Sequence, residues 1–177
     1  TTADITARLL TVSATGVDRM YDGTTNATVT LADDRVAGDH LSASYTAASF
    51  ADQNVGTNKP VNVSGITVTG SDSTNYTFNP TATTTANITA KTVTGSFTVN
   101  NKMYDGTNPA TILTRSITPA DLVGSDAVTL TGGAATFDNP NVGTAKTVTG
   151  TGFSLGGAQS GNYTLGSVAT TTANITA

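Results

Sequence analysis

Apolar and polar positions alternate along most of this chain with a period of two, the spacing that turns one face of an extended strand to a core and the other to water. Leu10, Val12 and Ala14 alternate with Thr11 and Ser13, and Ala27, Val29 and Leu31 with Thr28 and Thr30. Leu41, Ala43 and Tyr45 alternate with Ser42 and Ser44, Val61 and Val63 with Asn62 and Ser64, and Ile66 and Val68 with Thr67 and Thr69. Tyr76 and Phe78 flank Thr77, and Ala86, Ile88 and Ala90 close the series. The pattern predicts about seven short strands with one apolar face each, separated by Gly, Asn and Asp turns. It then returns through Val93, Phe97, Val99, Val128, Leu130, Val148, Phe153, Leu155, Tyr163, Leu165 and Ile175. A single helical turn is expected, over residues 118–123, with Thr118 as its cap and Pro119 at the first helical position.

The return is a repeat in sequence as well as in pattern. MYDGT stands at residues 20–24 and 103–107, an offset of 83, whereas NVGT at 54–57 and 141–144 and NYT at Asn75 and Asn162 are offset by 87. The heptapeptide TTA(D/N)ITA begins at Thr1, Thr84 and Thr171. Residues 1–7 therefore read as the tail of a preceding repeat, 8–90 as a first repeat and 91–177 as a second. The change of offset places extra residues where TRSITPADLVGSD stands in place of LADDRVAGD, and insertions belong in surface connections. Short alternating strands and frequent turns predict an all-β fold, two tandem Ig-like β-sandwich repeats. The stretch TTANITAKTVT joins them without a Gly, Ser or Pro linker, so they are expected end to end and stiffly connected. The alternative is a β-grasp sheet crossed by one helix, for which the first repeat offers no convincing helix.

Composition sharpens this. Thr makes up about a fifth of the chain and there is no Glu, which favours strands over helices. The net charge is −4 and the 8 basic residues are scattered, so no basic stripe speaks for nucleic acid. No apolar run approaches the ~20 residues that span a bilayer. With no Cys, disulfides and thiolate metal sites are excluded.

The repeated residues have readings that need no ligand. Asp22-Gly23 and Asp105-Gly106 suit a tight turn, Gly supplying positive φ and Asp bonding nearby backbone. Tyr21, Tyr104, Tyr76 and Tyr163 each offer an apolar body for the core and a hydroxyl that reaches backbone at a strand end. Asn54-Val55-Gly56 and Asn141-Val142-Gly143 read as strand-to-strand connections, and Gly65 and Gly152 as bulges or bends.

Candidate chemistry is thin. His40 is the only imidazole and its counterpart is Ala127, so no catalytic triad recurs, and an exposed loop histidine is expected. The glycine-rich stretch at 149–157 lacks the spacing and the following helix of a phosphate loop. Asp52-Gln53-Asn54 and Asp138-Asn139-Pro140-Asn141 are rich in oxygen but match no known Ca²⁺ repeat, and read as Asx turns. Sequons begin at Asn26, Asn62, Asn75, Asn87, Asn162 and Asn174, as a Thr-rich chain produces by composition. Tyr45 is a candidate aromatic platform, although its counterpart is Gly132. The threonines at 83–85 and 170–172 raise an ice-binding face, with solvent-facing strand positions as the ordinary reading. Neither a cofactor nor a metal is expected.

In order, K/R-MYDGT, a Phe before NVGT, a glycine pair, NYT and a closing TTANITA resemble the YDG/MBG-type repeats of large bacterial adhesins of the filamentous-haemagglutinin kind, over the whole chain and twice. The resemblance implies tandem units in an exported surface protein, often moved across the outer membrane by a partner transporter, that form a stalk presenting an adhesive tip. Expected on this reading are a non-enzymatic monomer, secreted or on the cell surface, with neighbouring repeats as partners. The alternative is a module that binds a carbohydrate or another receptor.

Overall fold

The structure, a computed structural model, describes all 177 residues. It is all-β, its only helical elements being three short 3-10 turns, and it divides into two compact units, Thr1–Thr89 and Ala90–Ala177. Neither unit contains the α-helix that a β-grasp sheet needs.

The second unit shows the plan most plainly. Its strands are β11 (Lys91–Val99), β12 (Lys102–Met103), β13 (Pro109–Ala110), β14 (Ile112–Ile117), β15 (Thr129–Phe137), β16 (Gly143–Gly156), β17 (Tyr163–Val168) and β18 (Thr171–Thr176). They form a three-stranded sheet ordered β14-β11-β17 and a five-stranded sheet ordered β12-β18-β16-β15-β13. Phe97 from the first sheet and Ala135, Phe137, Val148, Ala173 and Ile175 from the second share one buried cluster, as the two-residue alternation requires when apolar faces meet. Two pairings are parallel, β11 with β17 and β12 with β18.

The first unit repeats these pairings in shorter pieces: β1 (Arg8–Leu10), β2 (Val12–Val17), β3 (Arg19–Met20), β4 (Thr28–Asp33), β5 (Ser42–Ser44), β6 (Ala47–Phe50), β7 (Gly56–Ser64), β8 (Thr67–Thr69), β9 (Tyr76–Phe78) and β10 (Thr81–Thr89). The seven expected strands become ten because long strands break. At Thr11 the Asn79 side chain takes the ladder's place, accepting from Val12 N at 2.8 Å and donating to Val12 O at 2.9 Å. Between β5 and β6 lie Tyr45 and Thr46, where the unbroken β15 has Gly132 and Gly133.

That last difference belongs to a coordinated exchange of volumes. At an offset of 87, Thr46, Val63 and Ile66 correspond to Gly133, Gly150 and Phe153. A Cβ on Gly133 would lie 2.3 Å from Phe153 Cε1, and one on Gly150 2.5 Å from Phe153 Cε2. The Phe153 ring thus lies against bare backbone, its centroid 5.3 Å from that of Phe97. The large ring takes up part of the room that the missing side chains leave.

The helical expectation needs two corrections. The turn at 118–123 is a 3-10 turn over Pro119–Asp121, and Thr118 makes no side-chain cap, its hydroxyl instead meeting Thr94 Oγ1 at 2.9 Å. Two further 3-10 turns, Ser73–Asn75 and Ser160–Asn162, precede the NYT tyrosines. Both run through Ser, Thr, Gly and Asn, residues whose periodicity gives no helical signal. Residues 1–7 form no strand and are exposed, so Ile5 stands in solvent where Ile88 and Ile175 are core.

Candidate functional site

The repeated residues gather into two constellations in each unit. The first surrounds MYDGT. Asp22 Oδ1 accepts from Thr24 N at 2.9 Å, and Asp105 Oδ1 from Thr107 N at 2.9 Å, with Gly23 and Gly106 both at φ +76°, where a side chain would be strained. The basic residue ahead of Met closes the hook. Lys102 Nζ donates to Thr107 O at 2.9 Å and pairs with Asp105 at 2.8 Å, while Arg19 bonds Thr24 and pairs with Asp22. The hook is stitched to the closing strand by Tyr21 N to Thr89 O and Tyr104 N to Thr176 O, each 2.8 Å.

The NVGT turn reaches that closing strand from the other side, since Gly56 registers with Ile88 and Gly143 with Ile175. Asn54 N donates to Asp52 Oδ1 and Asn141 N to Asn139 Oδ1, the Asx geometry read from the sequence. A lysine stem covers each glycine: a Cβ on Gly56 would meet Lys59 Cδ at 3.1 Å, and one on Gly143 Lys146 Cδ at 3.3 Å. The ammonium groups then settle on the oxygen clusters, Lys59 Nζ 2.7 Å from Asp52 Oδ1 and Lys146 Nζ 2.7 Å from Asp138 Oδ1. These ion pairs hold the Asp52 and Asp138 carboxyls below the usual range, and put a fixed cation where a Ca²⁺ ligand set would need to converge. No three His, Cys, Asp or Glu side chains gather where they could hold a metal ion.

The second constellation is a tyrosine clamp. Tyr76 OH donates to Asp39 Oδ2 at 2.5 Å and accepts from Val36 N at 2.9 Å; Tyr163 OH donates to Asp126 Oδ2 at 2.7 Å and accepts from Val123 N at 2.9 Å. Both rings are buried. The hydrogen bond to Asp39 pushes the Tyr76 hydroxyl pKa up. Asp39 and Asp126 escaped the sequence reading, although an Asp at the end of both unequal connections was a usable signal.

A third recurring device was also missed. Asn87 N and Nδ2 donate to the Asp18 carboxylate at 2.7 and 2.8 Å, and Asn87 Oδ1 accepts from the N–H of Asn58, a residue at φ +49°. Asn174 repeats this with Asn101 and with Ala145 at φ +50°. The sequons at Asn87 and Asn174 thus coincide with residues that latch the closing strand.

One expectation is overturned. Of the four tyrosines assigned to the core, Tyr21, Tyr76 and Tyr163 are buried, but Tyr104 is 54% exposed. It follows a two-residue strand at the edge of its sheet, as the buried Tyr21 does, so the edge position alone does not account for the difference. The remaining candidates do not converge. His40 is an exposed loop residue whose backbone N donates to Asp72 Oδ2. Tyr45 is half-buried with its hydroxyl toward Val29 N. An open depression of about 220 Å³, lined by residues 150–153 and 165–168, lies in the second unit.

An all-β unit used twice, with hook, turn and clamp at matching places, defines a tandem-repeat protein. The chain belongs to the YDG domain family, which matches residues 6–86 and again 84–173. No curated protein and no solved structure matches it. No helix is long and apolar enough to cross a membrane.

Proposed function

We propose that the two units are structural spacer repeats of a secreted bacterial surface adhesin, that they extend an adhesive region away from the cell, and that they carry out no catalysis. What supports this is the kind of residue that recurs. Both units keep the hook, the Asx turn, the tyrosine clamp and the asparagine latch, all of which organise backbone. Side chains that would serve a ligand stand in one copy only: His40 aligns with Ala127 and Tyr45 with Gly132. A repeat selected for scaffold keeps its packing and turns and lets the rest drift. A module binding a carbohydrate or another receptor would instead keep an exposed aromatic platform.

Small-angle scattering tests the spacer. Units of about 35–45 Å, from strands rising ~3.3 Å per residue, give a linear pair of about 70–90 Å. Such a rod has a radius of gyration near 24 Å, against about 16 Å for one compact globule of this length. A value near the compact figure sinks the proposal, and specific retention on a glycan array would favour the binding module.

A further inference from the structure

The two units close differently, and the difference leaves a strand edge bare. In the first unit the Asn79 side chain caps β2 at Val12, and the chain turns away at Pro80, whose O accepts from Ile66 N at 3.0 Å. Thr81, Ala82 and Thr83 then lie along β7, in register with Ser64, Val63 and Asn62. At an offset of 87 the second unit has Gly166 and Ser167 in place of Asn79 and Pro80. Without the amide, the backbone itself stays on β11. Ser167 registers with Thr94 and Val168 with Gly95, and Ala169 N donates to Gly95 O at 2.9 Å. The closing strand reaches β16 only at Thr171, opposite Val148.

Beyond Val148, β16 therefore has β15 on one side and no strand on the other. Here lies the open depression, between residues 150–153 of β16 and 165–168 of β17, itself an edge strand. Alternate residues of an antiparallel strand turn their N–H and C=O away from the partner, so this edge offers backbone groups to an added chain. Edges are ordinarily blunted by Lys, Pro or inward charges, yet neither 149–156 nor 163–170 contains a Pro or a charged residue. Gly152, at φ +70°, bends the strand and keeps the offered ladder short. The second unit does not fill the edge from its own chain. Leaving β11 would strip Gly95 O of its hydrogen bond, with no counterpart of Asn79 to replace it.

The first unit shows what fits. At the same edge it seats an extended backbone, with the half-buried Ala82 opposite the core residue Val63 and the exposed Thr81 and Thr83 on either side. In the second unit Gly150 stands where Val63 does, and the inward place is the depression, whose apolar lining is Phe153, Leu165 and Val168. We infer that the free edge of β16 binds an extended peptide segment by strand addition, antiparallel to β16, with an aliphatic side chain in the depression and polar side chains flanking it. This goes beyond the spacer reading and stands without it. Main-chain hydrogen bonds supply the affinity and the depression the selectivity, as at other sheet edges that capture peptides.

The test titrates the 177-residue chain, followed by its amide NMR shifts, with a synthetic peptide of residues 79–86 carrying Ala82→Val. At about 5 mM peptide, enough to load a site with a Kd of ~1 mM, the amide signals of 150–153 and 165–168 should move. Those of Asn62, Val63 and Ser64, whose edge is filled, should stay. An added strand aims alternate N–H groups at the sheet, so N-methylation of the peptide at position 82 and at positions 81 and 83 should differ, one pattern abolishing the shifts and the other sparing them. Still signals at 150–153, or equal effects of the two methylation patterns, overturn the inference. So does movement with a soluble glycan and none with the peptide. The double variant Gly166→Asn, Ser167→Pro should carry 168–170 onto β16 and abolish the shifts; full binding by a variant that keeps the Tyr163 clamp signals would equally overturn it. If that variant does not fold, the titration of the unaltered chain decides by itself.

Discussion

Substituting Gly133 by Ala separates two costs that glycines usually combine. Gly133 and Gly106 both sit at positive φ, +83° and +76°, so either substitution meets a backbone penalty of roughly 1–2 kcal/mol, offset in part by a stiffer unfolded chain. They differ in the space beside them. Nothing lies within 4 Å of a Cβ on Gly106, whereas one on Gly133 would stand 2.3 Å from Phe153 Cε1. A ring can often retreat, but Gly150 lies against one edge of this one and the tilted Phe97 ring stands 5.3 Å from it, centroid to centroid. Overpacking of that kind costs about 1–3 kcal/mol, so Gly133→Ala should destabilise the second unit by ~2 kcal/mol more than Gly106→Ala. For a unit of this size the difference lowers the melting temperature by about 8–16 °C. Differential scanning calorimetry resolves it. Adding Phe153→Ile, the residue that the first unit has at Ile66, should recover most of the excess and so reveal the coupling. Equal effects of the two glycine substitutions, or no recovery, would refute the reasoning.

Three further outcomes follow from the hydrogen bonds. Tyr76→Phe should lower the urea midpoint of the first unit only and Tyr163→Phe that of the second only, since each hydroxyl bridges an Asp and a backbone N–H within its own unit; unchanged midpoints would dismiss the clamp. Asn87→Asp should weaken the chain more than Asn174→Asp, because Asn87 Nδ2 donates to the Asp18 carboxylate whereas Asn174 faces an amide, and parity in chemical denaturation would contradict this. Acid should also destabilise. Hydrogen bonds and a charge from Lys102 hold Asp105 at about 2, and Asp52, Asp121 and Asp138 are lowered as well. Carboxyls with native pKa values below their unfolded ones contribute stability above the unfolded value near 3.8, and lose it as pH falls toward about 2. Urea midpoints should therefore be flat from pH 7 to about 5 and drop below about 4; a flat profile to pH 3 would contradict the assignment.

The strands and the twofold repeat were legible because both are local. Alternation at Leu10 and Val12, or at Val61 and Val63, survives whatever the topology, and MYDGT and NVGT recur as written. The Asp-Gly turns were readable for the same reason. What could not be read is carried by partners distant in sequence. Asp39 meets Tyr76 across 37 residues and Asn87 meets Asp18 across 69, and neither distance leaves a periodic trace. The parallel pairings were hidden too, since alternation says which face is buried and nothing about strand direction. Tyr104 shows the remaining limit: identical words, MYDGT twice, describe the same backbone hook and different surroundings of the ring.

The parallel pairings carry a consequence for load. In a parallel pair the amino end of one strand and the carboxyl end of its partner lie at opposite ends of the ladder. Tension that enters the second unit at Lys91 and leaves through Thr176 therefore meets β11 against β17 and β12 against β18 lengthwise. The bonds of each ladder are strained together in shear, where a hairpin pulled from its open end would give way one rung at a time. The first unit presents the same arrangement at β1 with β9 and β3 with β10, so rupture should begin with the sliding of a whole terminal strand.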